Sequence, residues 1–255
     1  MAKVSQHLMA DPTSGPIPLP NRSGLGAATL LFFALLAPLT LAAQAPPVPG
    51  AGFGTRYVVV LDPAHGGQDA GAHLTFAGGS GQDEKSFALA LGTKLRALLA
   101  ARGFTVITTR DGDSGISATQ RAETTNRARA QACLSLHATS SGSGIHLYVS
   151  SLTPPPDAVR VSAWKTAQAT YVTRSLALAG VINAAMTNGS LSITMGRTAL
   201  PGMDSMTCPA VAVEVAPSPT GKQTPGNLDD PAYQTRVADA LAAALVQWRS
   251  EGQQP

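Results

Sequence analysis

The stretch Tyr57-Val58-Val59-Val60-Leu61-Asp62-Pro63-Ala64-His65-Gly66-Gly67 decides the fold class. Its first five residues are apolar without alternation and rich in valine, the mark of a strand covered on both faces. A Gly-rich loop follows, from Gly66 to Gly81. A helix is then expected to start near Glu84. Phe87, Leu91, Leu95, Leu98 and Leu99 recur at helical spacing, and Gly103 stands where a C-cap would.

The same alternation continues along the chain. Residues 104–108 read as a strand. Residues 117–130 read as a helix, with Ser117 as N-cap and Gln120 at the capping-box position. Residues 133–136 read as a strand. Residues 144–149 read as another, near enough in sequence to be its hairpin partner. Pro154 and Pro156 break the chain, and a long helix is expected over 164–186. Residues 210–213 read as a buried strand and 231–249 as a closing helix. The reading is an α/β fold: a single domain with a mixed, mostly parallel twisted sheet flanked by helices on both faces.

Residues 25–43 form an almost wholly apolar run preceded by Arg22 and followed by Ala43-Gln44-Ala45, the small-x-small pattern of a signal-peptidase site. Residues 1–45 are therefore expected to be a signal peptide. The alternative is a retained inner-membrane anchor, since the run approaches the length of a span. Residues 46–54 read as a Pro/Gly-rich linker and 55–250 as the single folded domain. Either way, that domain is expected outside the cytoplasm, periplasmic or secreted.

Charged residues make up only 13% of the chain, and the net charge is +3. That balance mildly favours an anionic polymer or surface. No Lys/Arg cluster carries interleaved aromatics, so nucleic acid is not an expected partner. Cys133 and Cys208 form no CxxC and cannot make a cysteine zinc knuckle. They could pair in an oxidising compartment or sit apart as two small core residues.

In open α/β sheets, chemistry collects at the carboxyl ends of the strands. His65, His137 and Glu214 each follow or close a strand, and Glu84 opens a helix after a loop on the same edge. Taken singly, each has a plainer reading: a hydrogen-bonded loop histidine, or a glutamate favoured by a helix N-terminus. Glu214 is the exception. An ionised carboxylate within Pro209-Ala210-Val211-Ala212-Val213-Glu214-Val215 needs a partner, either a metal-bound water or an arginine such as Arg197. Two imidazoles and two carboxylates suit a catalytic zinc site. Three of them would bind the ion and the remaining carboxylate would act as base and acid. Asp62 is expected to orient His65 or brace the loop, and Asp69 to tie the loop through backbone bonds. Arg110 and Arg121 are read as structural, and His73 and His146 as surface or packing residues.

These residues resemble the zinc-dependent N-acetylmuramoyl-L-alanine amidases of the type-3 fold, from about Tyr57 to Trp248. The run Asp62-Pro63-Ala64-His65-Gly66-Gly67-Gln68-Asp69-Ala70-Gly71-Ala72 is similar to the family's first zinc motif. Glu84, Gly103-Phe104-Thr105-Val106, Thr109-Arg110, Arg121 with Asn126, Ser135-Leu136-His137-Ala138 and Pro209 to Glu214 resemble the motifs that follow it, in order. The resemblance implies zinc on His65, Glu84 and His137, with Glu214 as the catalytic carboxylate. It implies peptidoglycan or muropeptides as substrate, cut between the muramic acid lactyl group and L-alanine. A monomer is expected. Three positions depart from the family pattern: Ala64 for Gly, Thr139 for Asn, and Val215-Ala216-Pro217-Ser218-Pro219 for Gly-Phe-Leu-Ser-Asn. The last of these leaves an alternative, a catalytically impaired protein of the same fold that binds peptidoglycan or regulates another hydrolase. The stretch 150–164 is too short for the inhibitory helix of some relatives, so no built-in plug is expected.

Overall fold

The computed structural model describes residues 56–76, 79–155, 163–218 and 227–252. All of them belong to the unit Ala51–Pro255. The expected leader and linker lie outside the described residues, as do residues 156–162 of the segment read as too short for a plug. In chain order the elements are β1 (Val58–Pro63), β2 (His73–Thr75), β3 (Gly81–Asp83), α1 (Glu84–Ala100), β4 (Thr105–Thr108), α2 (Ala118–Ala128), β5 (Ala132–Ala138), β6 (Ile145–Ser150), α3 (Val172–Asn188), β7 (Ile193–Thr198), β8 (Ala210–Val215) and α4 (Pro231–Glu251).

Six strands form one sheet in the order β4-β1-β5-β8-β6-β7. The first four are parallel. β6 runs antiparallel to β8 and parallel to β7. The sheet is thus mixed and mostly parallel, as the valine-rich strands imply. On one face Val59, Leu61, Leu134, Leu136, Val211 and Val213 join Phe87, Leu91 and Leu95 of α1, Leu178 and Ile182 of α3, and Tyr233, Val237 and Leu241 of α4. On the other, Val60, Cys133, Ala210 and Ala212 join Ala122 of α2 and Met203 of a 3₁₀ turn, Met203–Ser205. Helices cover both faces. Tyr233 is fully buried and donates its hydroxyl to the Ala216 carbonyl at 2.7 Å. Burial pushes its phenol up to about 12, so it remains a donor at any physiological pH.

Ser117 caps α2 through the expected capping box, accepting from the Gln120 N–H at 3.2 Å. Gly103, with φ of 80°, takes the left-handed position past α1, where the Phe104 N–H bonds back to the Leu99 carbonyl.

Four features differ from the sequence reading. β6 is not the hairpin partner of β5, because β8 lies between them. Three of β8's inward residues are valines in the main core, which suits a central strand. The short connection instead runs along the end of β8, with Thr139 donating to the Val215 carbonyl and Gly144 to that of Pro217. β7 was not expected. It is an exposed edge strand containing Gly196 and Arg197, and no apolar alternation marks it. Within the Gly-rich loop, β2 and β3 pair as a small antiparallel ribbon. The long helix is broken: Trp164–Thr170 is 3₁₀, Thr166 is non-helical, and α3 follows. Gln168, fully buried at the break, donates to the carbonyls of Met206 and Cys208 and accepts from Ser175.

Cys133 and Cys208 form a disulfide across 75 residues of sequence. It ties the start of β5 to the segment leading into β8. Closing a loop of that length restricts the unfolded chain strongly. A Cys133→Ser, Cys208→Ser protein is expected to lose about 2–4 kcal/mol of stability in chemical denaturation, with little change in fold by circular dichroism.

Candidate metal centre and active site

Strand register builds the site. Alternation turns Asp62 of β1, Ser135 and His137 of β5, and Glu214 of β8 to the face that α2 covers. His137 lies beside Glu214 in the β5–β8 pair, and His146 lies opposite Glu214 in the β6–β8 pair. Three adjacent strands therefore carry His, Glu and His in one row near the carboxyl ends of the parallel strands.

His65 and Glu84 reach this row from the loop after β1 and the first turn of α1. The donor atoms of His65, Glu84 and His137 all lie within 4.8 Å of one another. Glu84 is buried. Its Oε1 is 2.9 Å from His137 Nδ1 and its Oε2 is 3.1 Å from His65 Nε2. The backbone N–H groups of Ala72 and Ala138 also donate to it. Burial alone would push the Glu84 carboxyl up. The hydrogen bonds from His137 and Ala72 outweigh that and hold it below the usual carboxylate range.

This donor set fits a divalent metal ion. His65 Nδ1 faces Asp69 Oδ2 at 2.9 Å, so both of its nitrogens point at carboxylates. With the Nδ1 hydrogen donated to Asp69, the Nε2 lone pair is free to bind a cation beside Glu84. His137 contacts Ser135 Oγ through Nε2 at 3.3 Å and aims Nδ1 at Glu84. Each ring is thus oriented through the nitrogen that the metal would not use. His65 itself holds a φ of 59°, a conformation uncommon for a non-glycine residue and one that gathers at functional sites.

Asp62 does not touch His65. It accepts from Thr109 and Arg121 at 2.6 Å and from Ser135 at 3.0 Å. Arg121 then donates to the carbonyls of Pro63 and His65. The brace reading holds, and the contact to His65 is made by Asp69, which also ties the loop through the Gly71 N–H. Arg110 is structural, donating to the carbonyls of Pro63, Ala64, Lys85 and Gly112. Ala64, standing where the family pattern has Gly, has no positive φ, so its methyl group causes no backbone strain.

Of the partners expected for Glu214, Arg197 does not pair with it. Arg197 binds the carbonyls of Ser150 and Leu152 instead. His146 Nδ1 lies 2.8 Å from Glu214 Oε2. Sequence reasoning read His146 as packing or surface; the structure brings it into the site. His73 stays exposed, with Asp83 at 3.7 Å. Of the unusual segment after Glu214, Val215 extends β8 and Ala216 donates to the Gly144 carbonyl, while Pro219 lies outside the described residues. Beside the site opens a cavity of about 350 Å³, lined by His65, His137, Arg121, Ile116, Leu200 and Met203 among others. One wall, the stretch 200–206, is held to α2, where Asn126 donates to Ser205 and accepts from Thr207.

The N-acetylmuramoyl-L-alanine amidase family matches residues 59–247. N-acetylmuramoyl-L-alanine amidase AmiA of Escherichia coli (strain K12) is 39% identical over 85 residues, which are 33% of this chain and 28% of that protein. The match to AmiA of Salmonella typhimurium is 38% over the same length, so the chain spans little more than a quarter of these relatives. Among solved structures, the catalytic domain of CwlV, an amidase from Bacillus (Paenibacillus) polymyxa var. colistinus, is 25% identical with a TM-score of 0.56. It covers 76% of this chain and 98% of its own. Amidase AmiC2 of Nostoc punctiforme is 26% identical with a TM-score of 0.55, covering 76% and 97%.

Gly71 tests the candidate metal centre without replacing any of its three donor residues. Its φ is 67°, and a Cβ there would lie 2.6 Å from His65 Cδ2 and 2.8 Å from Glu84 Oε2. Gly71→Ala would force a methyl group between two ligands. It is expected to lower divalent-metal affinity by about 10–100-fold, measured by competition with a chromophoric chelator, while the helical signal stays unchanged.

Proposed function

The chain belongs to the N-acetylmuramoyl-L-alanine amidase family, and we propose that it is an exported, zinc-dependent member of it. Its substrate is then peptidoglycan, and the bond cut is the amide joining the N-acetylmuramic acid lactyl group to the L-alanine of the stem peptide. The observation that carries this reading is the meeting of His65, Glu84 and His137 within 4.8 Å, beside a carboxylate on the neighbouring strand. The shared names of the AmiA relatives and of the CwlV and AmiC2 structures support the same activity.

Zinc suits two imidazole nitrogens and one carboxylate, with a further position left open. Held by His65, Glu84 and His137, it would supply a Lewis acid at the carbonyl and an acidified water. The protein's residues do the rest. Asp69 and Ser135 fix the two rings. Glu214, about a third exposed, takes a proton from the attacking water and returns it to the departing amine. Ile116, Leu200 and Met203 form a mainly apolar wall of the cleft.

Export is supported by the apolar run at 25–43 and by the disulfide, since such bonds persist in oxidising compartments. Residues 1–45 act as the signal peptide in this reading.

The test is a digest of purified sacculi followed by mass analysis. The protein is expected to release intact stem peptides and leave unsubstituted glycan, and a chelator is expected to abolish release. Products carrying cut stem peptides would refute the bond assignment. Glu214→Gln is expected to keep its metal, by elemental analysis, while turnover falls by about 10²–10⁴-fold.

A further inference from the structure

His146 lies outside the metal-binding trio, yet its ring is held between two acceptors. Nδ1 is 2.8 Å from Glu214 Oε2, and Nε2 is 3.3 Å from the Ser143 carbonyl oxygen. A carbonyl oxygen only accepts, so Nε2 must carry the hydrogen of that bond. In a neutral ring Nδ1 would then be a bare acceptor facing an ionised carboxylate, which is also an acceptor. Two lone pairs at 2.8 Å repel. The contact therefore requires one more proton, lying between Nδ1 and Oε2.

Neighbouring groups keep the ring in this place. The β6–β8 pair sets His146 directly opposite Glu214. Tyr148 packs against the imidazole with ring centres 6.4 Å apart. On the loop side, a Cβ added at Gly142 would lie 3.0 Å from Cε1, so the ring has little room to swing. The titratable groups facing it are Glu214 from β8 and Tyr148 from its own strand. β7 presents uncharged Thr194 at the paired position. The His146 side chain is only 14% exposed, which limits screening of the pair by solvent.

We propose that His146 is the positioning residue for the catalytic carboxylate: it holds a proton against Oε2 of Glu214 and leaves Oε1 as the oxygen that exchanges protons with water and amine. This rests on the amide hydrolysis proposed above. When the water oxygen bonds to the carbonyl carbon, one O–H bond breaks and its hydrogen moves to Oε1. When the C–N bond breaks, the nitrogen keeps the electron pair and takes that hydrogen. The proton shared with His146 stays in place throughout.

The experiment uses the full chain loaded with zinc. His146→Ala removes the partner, and His146→Asn restores an N–H donor close to the Nδ1 position. Both are expected to keep the metal content of the wild type. In His146→Ala, kcat is expected to fall by about 10–100-fold with KM within about twofold, and His146→Asn is expected to recover part of the loss. A readout independent of turnover is the ¹⁵N spectrum of the five histidines, with the His146 signal identified by its absence from His146→Ala. At neutral pH both ring nitrogens are expected to be protonated in the wild type, and only one in Glu214→Gln. A singly protonated ring in the wild type, or wild-type turnover in His146→Ala, would overturn the proposal. If the wild type released no stem peptide, the amidase reading would fall on that ground alone, and the ring protonation would still decide the pairing.

Discussion

Asp62 is a buried carboxylate, and the rest of the site depends on how its charge is satisfied. Left alone there, it would be costly, because an ion removed from water needs close partners. It has three: Thr109 at the end of β4, Arg121 on α2 and Ser135 on β5. Each partner comes from a different element, so satisfying one carboxylate fixes four elements against one another. Arg121 then carries the constraint onward to the carbonyls of Pro63 and His65, which sets the loop that presents the first imidazole. Ser135 carries it to the second, through its contact with His137.

Above this base the groups are arranged by what each can donate or accept. Carboxylates face ring nitrogens on both sides of His65, and Glu84 faces two rings. The arrangement suits positive charge at its centre. The position of Glu84 serves the same end. It is buried at the first turn of a helix, where the N-terminal dipole favours negative charge. The sheet contributes order rather than charge: neighbouring strands set the spacing of the row from His137 to His146 without any loop having to hold it.

Much of this was legible in the residues. The central strands are apolar on both faces, so their composition alone marks them as interior. The trio His65, Glu84 and His137 stands in motifs whose order could be read directly. Strand order could not. A hairpin between β5 and β6 would have placed His146 beside β5 rather than opposite Glu214, and its part in the site follows only from β8 lying between them. β7 escaped notice because an exposed edge strand needs no apolar period. Asp62 was read as a brace, but its partners lie 47 to 73 residues away, and nothing local names them.

The disulfide and the cleft wall meet at one point. The stretch 200–206 runs directly into Cys208, whose partner Cys133 opens the strand that bears His137. One side of the cleft is therefore stapled to the strand that carries His137. Until the two thiols are oxidised, that side is held by hydrogen bonds from Asn126 and Gln168, by the Cys133 N–H on the Pro209 carbonyl and by apolar packing. The shape of the cleft is in this sense a product of the redox surroundings in which the chain matures, so a copy folded among reducing thiols would carry every reactive group and a slacker mould around them.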